Sequence, residues 1–75
     1  MVDFETIKAE EVKFGRNNFI EISKRKAVTS IGENVFIAIS RGYYLPDGTK
    51  RWRASIALPT EKDKREKISD LIKKL

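Results

Sequence analysis

VFIAISRGYYLPDGTKRWRASIAL, residues 35–58, is the stretch whose reading decides the fold. It begins and ends in apolar runs, Val35–Ile39 and Ala54–Leu58, which suit strands and are too short for helices. Between them Leu45-Pro46-Asp47-Gly48-Thr49 is a hairpin signal: Pro46 presets φ, Asp47 suits the next turn position, and Gly48 accepts φ > 0. Two registers are open. A two-residue loop at Asp47-Gly48 sets Ile39 opposite Ile56 and Ile37 opposite Leu58. A three-residue loop ending in a Gly48 bulge pairs Ala38 with Ile56 and Phe36 with Leu58 instead. That one-residue difference exchanges the buried and solvent faces. In either register Arg41, Tyr43, Tyr44, Lys50, Arg51, Trp52 and Arg53 gather toward the turn end.

C-terminal to this hairpin one helix is expected, residues 60–75. Pro59 stops the strand, Thr60 can cap, and Asp63 falls where a carboxylate favours a helix N-terminus. Ile68, Leu71, Ile72 and Leu75 repeat at i, i+3, i+4 and i+7 as one apolar stripe, whereas Glu61–Lys67 is wholly charged. The stripe is expected to close over its own sheet and to pair with a second copy, giving a homodimer interface at these four residues. N-terminal to the hairpin, Val12–Phe14 and Phe19–Ser23 flank Gly15-Arg16-Asn17-Asn18, a first hairpin turn. The second strand puts Ile20, Ile22, Lys24 and Lys26 on one side, and Gly32-Glu33-Asn34 is expected to turn the chain into the central hairpin. Residues 1–11 form an N-terminal tail or edge element, with Phe4 and Ile7 available for packing. The fold class is therefore α+β: a twisted antiparallel sheet of about four strands over residues 12–58, then one C-terminal helix.

Seventy-five residues make a single domain with a thin core. With neither cysteine nor histidine, the chain lacks disulfides, Cys-based zinc sites, the usual general base and the commonest metal ligand. The acids are scattered among Lys and Arg, and no Gly-rich phosphate loop is present. No enzyme activity, cofactor or metal is expected. Gln is absent and Met occurs only at position 1, a composition like that of proteins from hot environments, many archaeal ones among them. With no signal pattern or membrane-length apolar run, the expected location is the cytoplasm, associated with the nucleoid, or the nucleus.

The net charge of +5 is unevenly placed. Residues 12–58 carry nine basic and three acidic side chains, whereas residues 1–11 carry one and four. A basic sheet calls for an anionic partner. Cations for phosphates interleaved with flat rings for unstacked bases are what a single-stranded nucleic acid needs. Lys24, Lys26, Arg41, Lys50, Arg51 and Arg53 are the candidate phosphate contacts, and Tyr43, Tyr44 and Trp52 the candidate stacking rings. Each has an ordinary counterpart: Trp52 packed beside the turn, tyrosines as common strand residues, cations as solubilising charge. Their coincidence in one hairpin favours the functional reading. The alternative function is a protein-interaction module docking its basic hairpin on an acidic partner.

The run V-F-I-A-I-S-R-G-Y-Y-L-P-D-G, followed by a basic strand, I-A-L-P and a terminal helix, resembles the transcriptional coactivator positive cofactor four and its relatives over residues 35–75. The resemblance implies a curved antiparallel sheet with one helix, a homodimer, and single-stranded DNA bound across the sheets in transcription, replication or repair. RNA is the alternative polymer. Tyr43 matches the family's aromatic position before the P-x-G turn. Ser40 stands where the family has a basic residue, with Arg41 one place later, and Ser55-Ile56-Ala57-Leu58 replaces its G-I-S-L. ThermoDBP-type archaeal single-strand-binding proteins are a second possible relation.

Overall fold

Three tight turns fold the chain into an antiparallel meander. The computed structural model describes residues 2–75, with strands β1 (Asp3–Phe14), β2 (Asn18–Thr29), β3 (Gly32–Tyr44) and β4 (Lys50–Ala57) in the order β1-β2-β3-β4, then helix α1 (Lys62–Lys74). The fold is α+β, as the residue pattern predicts. Met1, the first residue of the predicted N-terminal element, lies outside the described residues. Residues 3–11 are edge strand, not tail: they continue β1 along β2, and the Phe4 ring meets Phe36 edge-on at 6.3 Å. The turn before β3 falls at Ser30-Ile31, two residues earlier than expected, because Gly32-Glu33-Asn34 pairs with Ala27–Thr29. There Thr29 Oγ1 accepts the Ile31 N–H at 3.3 Å and donates to the Gly32 carbonyl at 3.1 Å, two local bonds across the turn.

The central hairpin places Ile39 opposite Ile56, the first of the two predicted registers, by a different route. Tyr44 and Lys50 close a five-residue loop, and a bulge at Arg53, between the Arg41–Ala54 and Gly42–Trp52 pairs, restores the phase. In the loop Gly48 takes φ +87° and Asp47 Oδ1 accepts the Thr49 N–H at 2.9 Å.

Paired residues of antiparallel strands share a face, so the register sorts every side chain. One face, called here the first, carries the rows Lys13-Phe19-Gly42-Trp52, Glu11-Glu21-Ser40-Ser55 and Ala9-Ser23-Ala38-Ala57, each spanning the four strands. Beyond them lie Thr6-Arg25-Phe36 and Phe4-Ala27-Asn34. The second face carries Val12, Ile20, Ile22, Ile37, Ile39 and Ile56, fringed by Lys24, Lys26, Arg41, Tyr43 and Arg51.

The fully buried side chain is Phe19, whose ring lies over Gly42. A Cβ on Gly42 would collide with the Arg51 carbonyl oxygen and stand 2.8 Å from the Phe19 ring. Only a bare backbone admits the ring there. The apolar core of the described residues is otherwise Ala38, beside the buried serines Ser23 and Ser40.

The helix does not close over the sheet, contrary to expectation. No Cα of α1 comes within 8 Å of a strand Cα, and the molecule is a slab of 42 × 35 × 17 Å. Leu71, Ile72 and Leu75 stay exposed, and Ile68 is half-buried. The N-cap is Glu61 rather than Thr60 and makes no side-chain cap bond, so the first turn relies on Asp63 near the dipole. The charged run Glu61–Lys67 separates the stripe from β4, which keeps the apolar residues off the first turn. No described helix is long and apolar enough to cross a membrane.

Gly42→Ala is expected to destabilise the fold by about 1–3 kcal/mol, the usual cost of overpacking. A urea midpoint unchanged from wild type would show that Phe19 is not seated on this glycine.

Candidate functional site

On the first face the Phe19 ring anchors a cluster. Tyr44 lies tilted against it at 5.1 Å between centroids, and Trp52 meets it edge-on at 5.0 Å. The Lys50 ammonium stands 4.9 Å from the Phe19 centroid, 5.8 Å from Tyr44 and 5.5 Å from Trp52. Its counter-charge is Glu11, 3.2 Å away on β1. The Tyr44 hydroxyl donates to the same carboxylate at 2.7 Å, and Lys13 lies 5.2 Å from the Tyr44 ring. The hairpin tip is thus tied across β2 and β3 to the far edge strand. Trp52 is nonetheless 53% exposed and leaves ring surface to solvent.

These contacts move three protonation equilibria. The Tyr44 hydrogen bond is the largest influence on the Glu11 carboxyl; desolvation opposes it, and the Lys50 hydrogen bond and charge help to hold the group below its ordinary 4.5. The same bond raises the Tyr44 hydroxyl above 10.0. Desolvation favours neutral Lys50, but the bond to Glu11 and its charge outweigh this and raise the ammonium above 10.5.

Beside the cluster lies an open recess of about 590 Å³, lined by Glu21, Ser23, Arg25, Ser40, Trp52 and Arg53 among others. Small residues make its floor, because Ser23, Ala38, Ser40 and Ser55 stand where larger side chains would fill it. Ser40 and Ser55 share a hydrogen bond of 2.8 Å. Arg25 lies over the Phe4 ring at 5.4 Å, with its Nε–H buried and without a hydrogen-bond acceptor. The Arg25 side chain lines the recess with no carboxylate at ion-pair distance among the described residues.

The predicted site residues divide between the two faces. Tyr44, Lys50 and Trp52 share the first face, whereas the bulged Arg53 borders both its recess and a second one with Asn18, Arg41 and Ala54 on the other face. Lys24, Lys26, Arg41, Tyr43 and Arg51 belong to the second face. Of the predicted phosphate contacts, Lys50 is held in the ring cluster and Lys26 lies 3.5 Å from Glu5 and 3.8 Å from Glu33. Arg41 stacks over Phe14 at 5.8 Å. Lys13, Phe19, Glu21 and Arg25 were missed as site residues. Strand alternation from Lys13 and Arg25 could have found the two cations, but their meeting with Trp52 depends on register. No group of His, Cys, Asp or Glu suited to a metal ion occurs among the described residues. Comparison with protein-family models, curated proteins and solved structures finds no match.

A group whose folded pKa is depressed stabilises the fold above its unfolded value, and that contribution is lost as pH falls through the folded one. Glu11 is therefore expected to support the fold above about pH 4.5 and to lose that support on acidification. Glu11→Gln should flatten stability against pH across this acidic window, measured by urea unfolding at successive pH values. An acid limb as steep as in wild type would remove Glu11 from this role.

Proposed function

We propose that the protein binds single-stranded nucleic acid, DNA in the first instance, with its first sheet face, as a homodimer. The observation that carries the reading is the exposed Trp52 ring beside a small-floored recess edged by Arg25 and Arg53. Bases supply flat faces for rings, and phosphates supply acceptors for guanidinium groups. Duplex DNA hides its base faces, so the exposed ring favours a single strand. Trp52 and Arg53 lie on β4, an edge strand, where a polymer approaches from the side. The resemblance of residues 35–75 to the positive cofactor four family suggests transcription, replication or repair as the setting.

Surface area supports the dimer. A compact monomer of 8.7 kDa exposes about 4,700 Å², whereas this chain exposes 6211 Å². The excess of about 1,500 Å² exceeds the roughly 800 Å² that each partner contributes to a standard interface. Two apolar surfaces account for it: the second sheet face, with Val12, Ile22, Val35 and Ile56 exposed, and the helix stripe Leu71, Ile72 and Leu75. The occupant we assign to both is a second copy, since each chain brings a helix stripe and an apolar sheet face. Twofold pairing satisfies both at once and leaves the first face of each subunit open to ligand.

In fluorescence anisotropy titrations a single strand is expected to bind more tightly than duplex of equal length, with log K falling by about 0.7 per phosphate neutralised for each unit of log salt. Arg53→Ala should weaken binding and flatten that slope, and by more than Arg51→Ala. Trp52→Ala should cost roughly 1–3 kcal/mol with the slope nearly unchanged. Tighter binding to duplex would overturn the reading, and binding only to acidic proteins would favour the alternative partner.

Sedimentation equilibrium checks the assembly. Wild type should be dimeric at tens of micromolar, and the Leu71→Lys, Ile72→Lys double variant should not. A folded wild-type monomer at that concentration would end the dimer proposal.

A further inference from the structure

The recess on the first face contains one group that phosphate binding does not explain. Glu21 lies on its floor between Arg25 and the Trp52 side, in a site otherwise suited to anions. Its cross-strand neighbour is Glu11, and like charges directly opposite each other destabilise a sheet. Glu11 is neutralised by Lys50 and Tyr44. Glu21 feels the Lys50 charge at longer range but has no partner at ion-pair distance and no side-chain hydrogen bond among the described residues, although two arginines line the same recess. An unpaired carboxylate there repels phosphate and seeks N–H donors.

Resting on the nucleic-acid reading above, we infer that this recess takes one unstacked base and that Glu21 makes guanine the preferred one. An ionised carboxylate is acceptor-only, with two oxygens side by side. Guanine alone presents two adjacent donors on its Watson–Crick edge, N1–H and the N2 amino group. Cytosine and adenine each place a ring acceptor beside their amino group, facing the carboxylate with a lone pair. Thymine offers a single N3–H between two carbonyl oxygens. Single-stranded bases are read on this edge once they leave the stack. The recess is open, about 590 Å³ in volume, within the range of about 300–1,000 Å³ common for small-ligand sites. Trp52 supplies the flat wall. The guanidinium groups of Arg53 and Arg25, both lining the recess, take the flanking phosphate oxygens.

The test is anisotropy titration of the full chain with oligothymidine and with strands in which spaced thymines are replaced by dG, dA or dC. The dG strand should bind roughly tenfold more tightly than the other three. Replacing guanine by hypoxanthine, which lacks the N2 amino group, should abolish the gain. Replacing it by 7-deazaguanine, which alters only the opposite edge, should preserve the gain. Glu21→Ala should remove the preference while keeping, or raising, affinity for oligothymidine. The base series on the wild-type chain decides the matter even if that variant fails to fold. Equal affinity for all four strands would overturn the guanine assignment and leave single-strand binding intact. A gain kept by hypoxanthine and lost with 7-deazaguanine would transfer the readout to an arginine on O6 and N7, overturning the role of Glu21. Binding to none of the strands would defeat the nucleic-acid reading itself.

Discussion

The seating of the Phe19 ring on the bare backbone of Gly42 is the contact on which the rest of the structure depends. Among the described residues it is the one place where a large side chain is wholly removed from water. Tyr44, Trp52 and Lys50 are arranged around that ring, and through Lys50 and Tyr44 the hairpin tip reaches Glu11 on the far edge strand. A sheet of this size with little core gains rigidity from such a cross-strand tie, because each partner is held by at least two others. The same cluster presents Trp52 at a fixed angle, edge-on to Phe19, so a ring available for stacking is preorganised rather than free to rotate.

The two sheet faces have different chemistry because strand alternation separates them. The first face has rings and cations at its margins with small residues between. A row of alanine and serine cannot make a core, but it can leave room for a ligand. The second face is apolar without being covered, and α1 stands away from it. The proposed pairing of two copies would remove part of this apolar area from water. The proposed dimer and the proposed ligand then use opposite faces and do not compete.

Charge alone does not identify the available cations. Lys50 and Lys26 are both basic strand residues, yet each faces a carboxylate at ion-pair distance. Arg25 differs because it lines the recess with no carboxylate at ion-pair distance among the described residues. Arg53 differs because the bulge takes it out of the ladder and sets it at the recess. Availability for a ligand is thus decided by what already neutralises a group.

The antiparallel hairpins, the single terminal helix and the α+β class were legible in the residues, since turn chemistry and apolar periodicity are local properties. Leu45–Thr49 and the Ile68–Leu75 stripe needed no knowledge of distant partners to be recognised. The grouping of Tyr44, Lys50 and Trp52 was legible for the same reason, as they flank one turn. The turn at Ser30-Ile31, the N-cap at Glu61 and the bulge at Arg53 depend on which neighbouring pairs form, and local signals placed the first two elsewhere. Only the tertiary structure decided that Tyr43, Arg41 and Arg51 face away from Trp52, because closing the loop at Tyr44–Lys50 pairs Gly42 with Trp52 and alternation then sends their neighbours to the other face. It alone brought Phe19, Arg25 and Glu21 to the hairpin's face, since those residues lie some twenty to thirty positions away and meet it through strand register. It also left the helix stripe uncovered: periodicity reveals that a face is apolar, whereas its partner is a matter of what comes within reach.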